Sequence, residues 1–187
     1  MSTVARPMTT EEFLALPDDG MDRMLIRGEL RERLMTVRNQ WHSRVMLIIG
    51  HRLRTWLETQ PEPRGDVYGG EVGCILLRNP DTTVGIDVAY FTRETLDNQS
   101  GSTTLIEGAP ALAVEILSPS DTHEDITDKV RLYLQADTAL VWIIDPDFRT
   151  VTVYRADREP ESFNQQQQIS ADPFLPGFTL PVAQLFT

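Results

Sequence analysis

The chain has 187 residues, 41% hydrophobic and 24% charged, with 17 basic against 28 acidic side chains for a formal charge of −11. That length predicts one domain over 1–187 with a sizeable core, and the composition excludes global disorder. The acidic balance argues against a protein that coats nucleic acid by bulk electrostatics, and a single cysteine, Cys74, excludes an intramolecular disulfide or a cysteine-based zinc cage.

The opening residues carry no apolar signal region and no segment reaches membrane length, so the expectation is a cytoplasmic protein with no membrane role. Thr9-Thr10-Glu11-Glu12 fits a capping box, predicting a short helix over 9–16 that Pro17 ends. Two strands follow, 24–26 and 30–37, joined at Arg27-Gly28-Glu29. From 39 to 60, Trp41, Val45, Ile48, Ile49, Leu53, Trp56 and Leu57 recur at helical spacing. His42 and His51 are nine apart, a poor spacing for a metal pair, and packing or exposure is the expectation for both. Eight arginines (23, 27, 31, 33, 38, 44, 52, 54) against Glu29 and Glu32 form a local basic excess. It reads either as a phosphate-facing surface or as the solvated side of a helix and hairpin.

After a loop at 61–65 come strands at 67–77 and 83–91. In the second, alternation places Gly85, Asp87 and Ala89 on one face and Val84, Ile86, Val88 and Tyr90 on the other. Residues 93–108 are polar and read as a surface loop. The strand at 110–118 again sets an acid, Glu115, beside a small residue, Ala113. Pro119 ends it, and Ser118, Ser120, Asp121 and Thr122 offer caps for a helix whose stripe is Asp125, Lys129, Leu132, Tyr133 and Ala136. The apolar run 139–144 reads as a strand covered on both sides, the turn 145–149 returns it, and 150–154 completes a hairpin. The core therefore spans about 22–155, with apolar cover over 156–187 and a glutamine-rich loop at 165–168. No repeat, phosphate-binding glycine loop or nucleophile elbow is present.

A carboxylate inside an apolar strand needs a partner or a cation. Asp87 and Glu115 suit Mg²⁺ or Mn²⁺, which prefer oxygen ligands, and Lys129 supplies an ammonium nearby, held in place if Asp125 pairs with it at i, i+4. The plainer alternative is two acids bonded to backbone amides or arginines and a lysine in a surface pair. Sixteen of the 17 basic residues are arginine, and the sole lysine falls on this helix. Arginine does not replace a lysine that must act as a compact charge or shed a proton.

The run Glu115-Ile116-Leu117-Ser118-Pro119-Ser120, with Asp125, Lys129, Tyr133 and Val141-Trp142-Ile143-Ile144-Asp145-Pro146, resembles the Uma-type restriction endonuclease family of the PD-(D/E)XK nuclease superfamily. Thr9-Thr10-Glu11-Glu12-Phe13, Arg27-Gly28-Glu29-Leu30 and Leu175-Pro176-Gly177-Phe178 extend the likeness over nearly the whole chain. The resemblance implies an α/β (α+β) fold, a restriction-endonuclease-like mixed central sheet flanked by helices. It also implies Mg²⁺- or Mn²⁺-dependent hydrolysis of DNA phosphodiesters by a homodimer, the alternative being a catalytically inactive binding or regulatory module on the same fold. Asp87 and Glu115 would be metal ligands, Lys129 the catalytic lysine moved onto the helix, and Glu29 a further acid. Leu117 then stands where the superfamily motif expects lysine, Ile86 where the family has proline, and Met24 and Arg27 where acids are common.

Overall fold

The computed structural model describes residues 6–34, 39–119 and 121–187. Helix α1 (Thr10–Leu14) starts at a complete capping box between Thr9 and Glu12. Strands β1 (Met21–Ile26) and β2 (Glu29–Leu34) form an antiparallel hairpin. Its two-residue turn needs positive φ at both positions, and Arg27 (51°) and Gly28 (77°) supply it. The predicted continuation over 35–37 lies outside the described residues, as do Arg38 and the candidate cap Ser120.

Helix α2 (Gln40–Glu58) is capped by Asn39, whose side chain accepts the N–H groups of Trp41 and His42. His42, Val45, Ile49, Leu53 and Leu57 form its buried stripe, whereas Trp41, expected on that stripe, is 47% exposed. Strands β3 (Asp66–Leu77) and β4 (Thr82–Phe91) pair antiparallel, with a bulge between Gly69 and Val72. Residues 93–108, read as loop, include a short helix α3 (Arg93–Asp97) capped by Thr92 and a two-residue strand β5 (Ile106–Glu107) parallel to β3. Both are too short to leave a periodic signal in sequence.

Strand β6 (Leu112–Ile116), helix α4 (His123–Gln135) and strand β7 (Leu140–Asp145) form a parallel crossover unit, and β8 (Thr150–Arg155) returns antiparallel to β7. The C-terminal cover is more regular than expected. Strand β9 (Arg158–Phe163) extends the main sheet, and β10 (Gln168–Ser170) and β11 (Thr179–Pro181) make a separate ribbon before a 3₁₀ turn at Val182–Leu185. The main sheet runs β2-β1-β4-β6-β7-β8-β9, with β3 and β5 branching from β4.

Two apolar clusters cover its faces. One joins Val45, Ile49 and Leu53 of α2 to Leu112, Val114, Trp142, Ile144 and the C-terminal Phe178 and Leu185. The other joins Val130, Tyr133 and Ala136 of α4 to Ala113, Val141, Ile143 and Cys74. Burial pushes the Cys74 thiol up to about 12, so it behaves as a packed apolar group. The expected alternation in β4 breaks at Asp87. Val84 and Ile86 pack in the α4-side cluster with Ala89 and Phe91, while Val88 and Tyr90 pack with the α2-side cluster.

Candidate active site

That break follows from how β4 is shared. One edge pairs with β3. On the other, Thr83 pairs with Leu25 of β1, while Val88, Ala89 and Tyr90 pair with Val114, Ala113 and Leu112 of β6. Between these ladders, 84–87 has no strand partner on that edge among the described residues. The sheet forks there, and Asp87 fills the fork. Its Oδ2 accepts the Ile116 N–H at 2.8 Å, a backbone donor on β6 beyond the reach of the β4 ladder.

Glu115 enters from the next strand. Asp87 and Glu115 are each only 5% exposed. Lys129 Nζ donates to Glu115 Oε2 at 2.6 Å, and the Tyr133 hydroxyl donates to Oε1. Lys129 and Tyr133 stand one turn apart on α4, so one helix face supplies both donors. Burial raises the Glu115 carboxyl above its ordinary range; the Lys129 ammonium opposes the rise and Asp87 adds to it. For Lys129 burial acts downward, but Glu115, then Asp87 and Asp121, outweigh it and hold the ammonium above its usual value. The buried Tyr133 hydroxyl is pushed well up, first by desolvation and then by Glu115.

The structure thus brings Asp87, Glu115 and Lys129 together and leaves Glu29 and Asp125 apart. Glu29 is exposed at the turn end of β2, on a groove with Arg27, Arg131 and Gln135, because β2 carries it away from the fork. Asp125 is engaged in the α4 cap: its Oδ2 accepts the Thr122 N–H at 3.1 Å and hydroxyl at 2.6 Å, so the expected pairing with Lys129 gives way to the cap. Asp121 is the acid that turns inward. Its Oδ2 accepts the Ser118 N–H and hydroxyl, at 2.7 and 2.8 Å. Burial pushes its carboxyl up, but those bonds, Lys129 and Arg33 outweigh burial and hold it below the usual range.

Three further groups stand at the site without having been read as part of it; His42, expected to be packed or exposed, is packed. His42 is 1% exposed, with Nε2 3.2 Å from Asp87 Oδ2. Stepping back three residues from Val45 along the helical stripe would have found it. Asp22 lies two residues before Met24 on β1 and so on the same strand face; it lines the site while holding Arg33 Nε at 2.6 Å. Tyr133 stands on the predicted α4 stripe, and nothing in that spacing marks its bond to Glu115. Of the basic excess, Arg23 and Arg33 line the site, whereas Arg54 pairs with Asp66 away from it.

These side chains surround a cavity of about 40 Å³ lined by Asp22, Arg33, His42, Asp87, Glu115 and Lys129 among others. Such a space holds only a few waters. It adjoins a wider groove of about 410 Å³ between the β1–β2 hairpin and α4, floored by Met24, Ile26 and Leu34, with Arg33 and Lys129 common to both. Among the described residues no three His, Cys, Asp or Glu side chains are already grouped as a metal cage. Two buried carboxylates on a small polar opening nevertheless suit Mg²⁺, which takes few protein ligands and keeps several waters.

A mixed sheet flanked by helices, forked around two buried acids and a lysine, defines a restriction-endonuclease-like α/β protein. A family model, Uma2, described as "Putative restriction endonuclease", matches residues 10–183, and the chain belongs to that family. Among solved structures it is similar to a protein of Anabaena variabilis titled a "putative nuclease belonging to DUF820". The two are 24% identical, the alignment covers 96% of this chain and 98% of the other, and the TM-score of 0.78 establishes a shared fold. No curated protein matches. No helix among the described residues is long and apolar enough to cross a membrane.

Proposed function

We propose that the chain is a metal-dependent endonuclease that hydrolyses DNA phosphodiester bonds in the cytoplasm as a homodimer. The observation that carries this reading is the convergence of Asp87, Glu115 and Lys129 at the fork of the sheet. Asp87 and Glu115 are the residues that would hold Mg²⁺ or Mn²⁺. When bound, such an ion polarises a phosphate and lowers the pKa of coordinated water.

The other groups act through charge and position. Lys129, kept cationic by Glu115, offsets charge that develops on the phosphate and orients the attacking water. Tyr133 fixes the Glu115 carboxyl against rotation. Arg33, at the mouth shared by cavity and groove, can exchange its bonds to Asp22 and Asp121 for bidentate contact with a phosphate. The apolar-floored groove gives a nucleic-acid strand a path to the carboxylates.

Purified protein incubated with supercoiled plasmid and Mg²⁺ or Mn²⁺ is expected to nick it. Glu115→Ala and Lys129→Ala should each lower the rate by about 100-fold or more. A folded protein that neither binds Mn²⁺ by calorimetry nor nicks any DNA or RNA would sink the reading, and a monomer in sedimentation would remove the dimer.

One observation favours a second reading, a non-catalytic nucleic-acid-binding module: both oxygens of Glu115 are engaged by Lys129 and Tyr133. It predicts DNA binding that survives Asp87→Ala together with Glu115→Ala.

A further inference from the structure

We infer that His42 is the positioning residue for Asp87: its Nε2–H, together with the Ile116 amide, holds Oδ2 and turns Oδ1 toward the cavity. This rests on the proposed metal site, and no motif in the sequence pointed to it. Two groups converge on one oxygen: the Ile116 N–H donates to it at 2.8 Å, and His42 Nε2 lies 3.2 Å from it, an ion-pair contact. No hydrogen bond to Oδ1 occurs among the described residues, and both Asp87 and the imidazole line the same small cavity.

The imidazole has little freedom. Its backbone N–H is bound to Asn39 Oδ1 at 2.9 Å in the first turn of α2, and the side chain shares the buried stripe with Val45 and Ile49. The far nitrogen sets the tautomer. Nδ1 is buried with no hydrogen-bond partner. A proton there would be a buried donor without an acceptor, the rarest defect in a folded protein, whereas a bare lone pair is tolerated more readily. The inferred tautomer carries its proton on Nε2, the nitrogen 3.2 Å from Asp87 Oδ2. This is the support that carboxylates and histidines at metal sites receive from groups just behind them, where removal weakens metal affinity about 10- to 100-fold.

The two amide side chains separate this role from packing. In His42→Gln the amide nitrogen falls near the place of Nε2; in His42→Asn it falls near Nδ1. His42→Phe keeps a ring and offers no donor. Mn²⁺ titration calorimetry on full-length protein should show affinity about 10- to 100-fold weaker for His42→Phe and His42→Asn, and within about three-fold of the parent for His42→Gln. Each variant is compared at matched melting temperature. Unchanged affinity in His42→Phe, or His42→Gln as weak as His42→Phe, overturns the inference. Long-range ¹H–¹⁵N spectra of the unmutated protein give a reading that needs no variant to fold and no metal: the Nε2–H pattern supports the inference and the Nδ1–H pattern overturns it. An unmutated protein that takes up no Mn²⁺ overturns the nuclease reading alone, and the spectra then decide whether His42 holds Asp87.

Discussion

The two flanks of β4 are built differently. Toward β6, β7 and β8 the ladders run in continuous register, and Leu112, Val114, Trp142, Ile144 and Val151 are fully buried. Toward β1 and β2 the strand pairing to β4 among the described residues is Leu25–Thr83 alone, and the hairpin's outer strand has no buried residue. Ion pairs run from it in two directions: Arg33 with Asp121 and Arg31 with Asp128 reach the α4 side, while Arg33 with Asp22 and Glu32 with Arg23 tie it to β1. One flank is set by dry packing throughout; the other adds exchangeable polar contacts to the packing of Leu25, Met24 and Ile26. The carboxylates sit on the boundary between the two.

Mutations on each side test that contrast. Trp142→Ala on the dry flank should be the most damaging, removing about 3–5 kcal/mol and lowering the melting temperature accordingly. A loss below about 1 kcal/mol would mean that this flank is not the rigid one.

Lys129→Met at the boundary comes next, because it leaves Glu115 buried without its cation, at a cost of about 3 kcal/mol near neutral pH. Its pH dependence follows from the directions at the site. The Glu115 carboxyl is raised in the folded state, and losing Lys129 raises it further. Protonation therefore relieves the variant as pH falls through that raised value, above the ordinary carboxylate value of about 4.3. The Lys129 ammonium is also raised when folded, so its contribution is fully present below the unfolded value of about 10.4 and is lost only as pH climbs through the folded one. Denaturant melts should show the gap between parent and variant widest at neutral pH and closing at both ends; a pH-independent gap contradicts the pairing.

Arg31→Ala on the ionic flank should be the mildest. Its partner Asp128 is 3.5 Å away, and both side chains are well exposed. The expected change in stability is within about 0.5 kcal/mol. A larger loss would show that the hairpin is locked, not adjustable.

Much of this was legible in the chain because the signals are local. The Thr9–Glu12 capping box, the stripe from Val45 to Leu57, the Arg27-Gly28 turn and the apolar runs of β6 and β7 each follow from neighbours a few residues apart. The acids in β4 and β6 and the lone lysine stood out because burying charge demands a partner. Asp125 misled for the same local reason: i, i+4 spacing permits a pair with Lys129, but the Thr122 cap competes for the same carboxylate and is closer in chain. Glu29 misled because likeness of motif does not say which end of a strand reaches the site.

By itself the sequence determined most of the elements up to β8, the mixed α/β character, the family likeness and the three candidates Asp87, Glu115 and Lys129, since propensity, periodicity and burial of charge act over short spans. Only the tertiary structure decided that β1 and β6 share one edge of β4 and diverge at Asp87, that the Ile116 amide and His42 meet the same oxygen, and that Asp121 faces inward while Asp125 does not. Those facts depend on which strands share an edge and where their ladders stop, and pairing between distant segments leaves no periodic mark on either one.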